Sequence, residues 1–330
     1  MIWLRFLPYF TAIFFWLILV DFVDFNGRYG QDAHAYFNFG NALFGRGEYV
    51  GLFIWPAVYP IFGGLFGFQL TSLLSLLVAI WAVGHLLKER ATNPALLSIF
   101  QTLCVACSPM MLRSGVLVMT ETLCIALLAL GMVAVQKGPG RWTAIAALTF
   151  SLAVYCRYQA ALIAAPFVIF SFWQYCQSFF GLGRENPQRA MSNALYLPVI
   201  LACACAGPLL QLLADLPVSP AQYSSGHMTF WRVSNFWQTE FVTVDGHLQY
   251  RFMNLFAVTQ LLWHPAFVPL GLIFLGFVRR KDFQKPSPIS LLMIIGVVIY
   301  LVLVAGLAQQ NSRFLILAMP FARAQQRSAR

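Results

Sequence analysis

Charge is what this sequence lacks. Only 10% of its 330 residues are charged, and acids number just 11. A soluble domain carries about 25% charged residues, so this chain cannot cover a water-facing surface. No glycine-rich phosphate loop occurs, which argues against nucleotide hydrolysis. Internal repeats, coiled-coil heptads and low-complexity tracts are also missing. The amino terminus has no charged leader region and no small-residue cleavage site, and reads as a retained first span. Seven cysteines are present, nearly all inside apolar runs. Cys104 and Cys107 have redox-motif spacing, but no soluble βαβ pattern surrounds them. They read as small buried hydrophobes.

What is present is apolar. Hydrophobic residues make up 60% of the chain, and mean hydropathy is +0.72. A helix needs about 20 apolar residues to span a bilayer. The sequence predicts an all-α polytopic transmembrane bundle, read as one domain over 1–330. About ten spans fall near 3–23, 66–87, 95–112, 115–136, 142–156, 159–178, 194–214, 254–278 and 288–308, with a short one from 314. With a cytoplasmic amino terminus and alternating sides, 14 of the 21 basic residues lie inside, among them Arg5, Lys88, Lys137 and Arg141. The acids divide the opposite way, as the positive-inside bias expects. The net charge of +10 therefore reports orientation and affinity for membrane lipids, not nucleic acid. Two outer loops are long, at about 24–65 and 215–253.

The first outer loop holds the stretch GQDAHAYFNFGNALF, residues 30–44. Asp32 stands before a helix-compatible run, Ala33 to Gly45. Tyr36, Phe39 or Gly40, and Leu43 share one face of it. This reads as an interfacial helix. Aspartate is a favoured N-cap, and a cap there also fixes a carboxylate in place. Pro56, Pro60, Gly63, Gly64 and Gly67 then prevent one plain helix. Irregular backbone at that depth must line protein or a wet cavity.

Elsewhere, Glu121 lies a few residues into a span, where acids are costly and functional by default. The bland alternative pairs it with a nearby arginine such as Arg113. Arg157 and Arg313 occupy very short outer turns. Each can grip a phosphate with a planar, permanently charged fork, or snorkel to lipid headgroups. His34, His227 and His247 are scattered candidates for a divalent metal, a weak signal. His85 and His264 read as satisfied structural residues. Trp231 and Trp237 fit the interfacial aromatic belt.

Four stretches together resemble the GT-C superfamily of polytopic glycosyltransferases, of the protein mannosyltransferase and aminoarabinose transferase kind. They are the Asp32 loop ending in Tyr59-Pro60, then SGVLVMTETLCIALLAL at 114–130, YCRYQAALIAAPF at 155–167 and NSRFLILAMPF at 311–321. The sequence departs from the family's pair of neighbouring acids, because Asp32 is followed by Ala33 and His34. The resemblance implies an inverting membrane glycosyltransferase of the cell envelope, sited in the bacterial inner membrane and working on the non-cytoplasmic face. It implies a polyprenyl-phosphate sugar donor and a lipid, glycan or protein acceptor. Asp32 is then the general base, with Asp24 as its rival. Arg157, Arg313, Glu121, Tyr36 and His34 become candidates for holding substrate or phosphate. No cofactor is demanded, and a divalent metal is compatible with the loop. The alternatives are a lipid-linked saccharide flippase or a non-catalytic assembly subunit of the same fold.

Overall fold

The computed structural model describes residues 3–22, 64–88, 94–106, 108–117, 119–185, 196–207, 209, 231–243, 246–264, 267, 288–308, 310 and 312–324. Asp24, Asp32, His34 and Tyr36, with the expected interfacial helix, lie outside the described residues.

The described chain is a helical bundle. A 3₁₀ turn at Trp3–Arg5 leads into α1, Leu7–Leu17, which ends in a π turn at Ile18–Phe22. Then follow α2 Gly64–Lys88, α3 Pro94–Ala106, α4 Pro109–Ser114, α5 Glu121–Gln136, α6 Arg141–Cys156 and α7 Ala160–Glu185. The later elements are α8 Tyr196–Ala204, the short α9 Asn254–Ala257 and α10 Gln260–Trp263, then α11 Pro288–Gly306 and α12 Met319–Ala324. Among the described residues, 65–86, 160–178 and 288–306 are long and apolar enough to cross a membrane.

Two expected spans have different limits. The run expected over 95–112 breaks at Ser108, because a proline at 109 disfavours helix in the residue before it. The span expected from 115 starts its helix only at Glu121. That places Glu121 in the first turn of α5. One small strand pair also appears in the second long loop. β1, Glu240–Thr243, and β2, Gly246–Gln249, pair antiparallel, with Glu240 opposite Gln249.

Helices that are apolar all round acquire an inside and an outside by packing. In α11, Ile289, Met293, Gly296, Val297, Tyr300 and Val304 are buried at three- and four-residue steps, while Leu291, Ile295, Val298 and Val302 are exposed. The exposed set forms the lipid-facing stripe. Small residues bring the helices close. A Cβ at Gly296 would stand 2.8 Å from the Ile163 carbonyl oxygen of α7. Helix α5 packs between α2 and α6, and α7 packs on α6 and α11. Two thiols stitch α5 to α6: Cys124 reaches the Ala153 carbonyl and Cys156 the Thr120 carbonyl.

Helix direction defines the two ends of the bundle. Trp16, late in α1, donates to the Gln69 carbonyl near the start of α2 at 3.3 Å. Ser72 of α2 donates to the Leu117 carbonyl just before α5 at 2.6 Å. These contacts gather the end of α1 and the starts of α2 and α5 at one end. The opposite end holds Arg5, the end of α2 at Lys88, and the α5–α6 turn with Lys137 and Arg141. That turn uses Gly138 and Gly140 at φ 97° and 90°, a region that favours glycine.

Candidate active site

Helix α5 begins at Glu121 and α6 ends at Cys156, so their termini meet at the same end of the bundle. Arg157 closes α6 in an extended conformation, φ −152° and ψ 110°. This breaks the helix. Three residues later the chain reverses into α7.

The Arg157 side chain turns inward. Its Nη1 donates to Glu121 Oε1 at 2.7 Å, and the two side chains are only 9% and 1% exposed. The snorkelling alternative for Arg157 is therefore overturned, and the arginine that Glu121 grips is Arg157. Each partner sits where a helix dipole favours it. The carboxylate is at the amino end of α5 and the guanidinium at the carboxyl end of α6. Burying two charges is costly unless geometry is good and hydrogen bonds compensate. The contact is short and charge-assisted, the stronger class of hydrogen bond.

Around this pair lie groups the sequence did not single out. Tyr300 of α11 is fully buried, and its hydroxyl donates to the Phe314 carbonyl. Arg157, Glu121 and Tyr158 act electrostatically on that hydroxyl. Phe314 belongs to a 3₁₀ turn, Ser312–Leu317, which packs against α5. Arg313 is the second residue of that turn, so its backbone joins the Glu121–Arg157 neighbourhood. Arg113 lies at the end of α4 and is exposed, as is Asp21 past the end of α1.

The second long loop caps α11 at this same end. The last turns of a helix leave carbonyls without intrahelical partners. Trp231 Nε1 donates to the Leu303 carbonyl at 3.1 Å and Asn235 Nδ2 to the Gly306 carbonyl at 2.8 Å. Asn254 Nδ2 donates to the Ala305 and Leu307 carbonyls. Asn235 and Asn254 carried no sequence signal beyond being polar residues beside apolar runs.

His247 lies in β2, while His227 is outside the described residues. Among the described residues, no group of three or more His, Cys, Asp or Glu converges to hold a metal.

A solved structure shares this overall fold. ArnT from Cupriavidus metallidurans, bound to undecaprenyl phosphate, superposes with a TM-score of 0.61 at 16% sequence identity, over 96% of this chain. The chain has the GT-C fold. It spans 57% of the ArnT chain. No family model and no curated protein matches the sequence. The GT-C fold agrees with the resemblance carried by the stretches at 114–130, 155–167 and 311–321. Of those stretches, the described parts supply Glu121, Arg157 and the Arg313 turn, all at one end of an integral membrane bundle.

Proposed function

We propose that this protein is a membrane glycosyltransferase. It moves a sugar from a polyprenyl-phosphate-linked donor to an acceptor at the end of the bundle that carries Glu121 and Arg157. The observation that carries this reading is the likeness to ArnT over 96% of the chain, a protein bound to undecaprenyl phosphate. The sidedness rests on charge. Arg5, Lys88, Lys137 and Arg141 sit at the opposite end, which the positive-inside rule assigns to the cytoplasm. The reacting end is then non-cytoplasmic.

The chemistry needs few parts. The acceptor hydroxyl oxygen attacks the anomeric carbon, and its proton passes to the Asp32 carboxylate, with Asp24 as the alternative base. The bond from the anomeric carbon to the phosphate oxygen breaks, and its electron pair leaves with the phosphate. In-line displacement inverts the centre. Arg157 and Arg313 neutralise the leaving phosphate. Glu121 holds the Arg157 guanidinium in orientation at 2.7 Å. Tyr36 and His34, in the Asp32 loop, help to seat the donor.

The test uses purified protein with labelled polyprenyl-phosphate sugar and candidate acceptors. Asp32→Asn keeps an N-cap of about equal quality but cannot take the proton. The transfer rate should fall by roughly 10²–10⁴. If only Asp24→Asn loses the rate, the base is Asp24. Movement of the lipid without transfer would identify a flippase. Neither activity from the folded wild type would identify an assembly subunit.

A further inference from the structure

At the end of the bundle opposite Glu121, α1, α2 and α3 enclose a cavity of about 240 Å³. Arg5 and Tyr9 come from the start of the chain. Trp81 and His85 come from one face of α2, and Ser98 and Gln101 from one face of α3. Among the described residues, no carboxylate lines it. The Trp81 and His85 rings stack at 5.7 Å. Gln101 Nε2 donates to the Ile80 carbonyl at 3.1 Å, lying across Gly84, where a Cβ would collide with the amide. Glycine at 84 thus keeps the polar wall in place.

Ser98 is the telling residue. It is only 3% exposed and borders the cavity, and among the described residues its hydroxyl has no hydrogen-bond partner. A buried hydroxyl without a partner is costly, and a ligand oxygen would relieve it. Among the described residues the wall therefore offers the Arg5 cation, an imidazole and a hydroxyl, and no acid. The volume is below that of typical pockets for drug-sized ligands.

We propose that this cavity binds the phosphate of an anionic lipid headgroup. The lipid source is favoured by the rim. Trp81 of the wall is an exposed large hydrophobic, and so are Phe6, Phe10 and Ile99, the chain neighbours of the lining residues Arg5, Tyr9 and Ser98. They give acyl chains an apolar surface next to the Arg5 cation. Arg5 engages the phosphate at the mouth, Ser98 donates from the floor, and Trp81 and Tyr9 form the amphipathic wall suited to an interface.

The test is native mass spectrometry of the delipidated full-length protein in detergent. The added probes are phosphatidylglycerol, phosphatidylcholine or inorganic phosphate. The wild type should retain one phosphatidylglycerol at least 10-fold more tightly than phosphatidylcholine. Arg5→Gln and Ser98→Ala should each lose most of that preference while keeping helical circular dichroism. Equal retention of the two lipids by the wild type overturns the proposal. So does undiminished selectivity in both folded variants. Tight binding of inorganic phosphate without lipid selectivity would overturn the lipid source and leave a free-anion site.

Discussion

Glu121 Oε1 and Arg157 Nη1 meet at 2.7 Å, between the first residue of one helix and the residue that ends the next. The pair closes the antiparallel α5–α6 hairpin at its open end. Removing one partner leaves the other charge buried without its ion pair. Glu121→Gln or Arg157→Met should each lower stability by about 3–5 kcal/mol. The double replacement Glu121→Leu with Arg157→Met should recover most of that loss. Denaturant unfolding in detergent measures it, and singles that cost under about 1 kcal/mol would mean the pair is solvated.

Arg157→Lys separates charge from shape. Lysine keeps the charge but loses the planar fork that the proposed phosphate contact uses. Donor use should fall markedly while the protein stays folded. Unchanged donor KM in the Lys variant would remove Arg157 from the donor site.

Tyr300→Phe deletes one hydroxyl and leaves the Phe314 carbonyl without that donor. The expected cost is about 1–3 kcal/mol. Hydrogen exchange of the amides over 312–317 should quicken, because the turn loses its tie to α11. Protection equal to the wild type would show that packing on α5 alone holds the turn.

Asn254→Ala strips donors from two carbonyls at the end of α11, and Asn235→Ala from one. The Gly306 carbonyl keeps the Arg232 amide at 3.1 Å when Asn235 is lost, so Asn254→Ala should be the more damaging, at about 1–3 kcal/mol. Thermal unfolding of both variants side by side gives the order. The reverse order would contradict the capping account.

Gly296→Ala and Gly138→Ala test two different uses of glycine. At Gly296 the new methyl meets backbone of α7 at 2.8 Å, and backbone cannot rotate away. The α7–α11 contact must open, at about 1–3 kcal/mol. At Gly138 nothing lies within 4 Å, and the cost is the strain of a φ of 97°. Crosslinking between introduced cysteines on α7 and α11 should slow in Gly296→Ala and stay unchanged in Gly138→Ala.

By itself the sequence determined the class and most of the helices. Apolar runs of spanning length in a chain with few charges leave a helical bundle as the only way to satisfy backbone groups in lipid. The order of four degenerate stretches also marked Glu121, Arg157 and the Arg313 turn before any contact was known. Boundaries were less legible. Proline at 109 and the turn before Glu121 were both visible as residues, yet hydropathy runs straight through them. Only the tertiary structure decided which arginine Glu121 faces, because Arg113 and Arg157 are equally plausible by position along the chain. It alone drew in Tyr300, Asn235 and Asn254, whose roles depend on carbonyls brought near by folding rather than on neighbours in sequence. It also divided α11 into a buried and a lipid-facing stripe. In a helix that is apolar all round, side-chain polarity holds no record of which face packs, so the close fit of Gly296 against α7 had to decide.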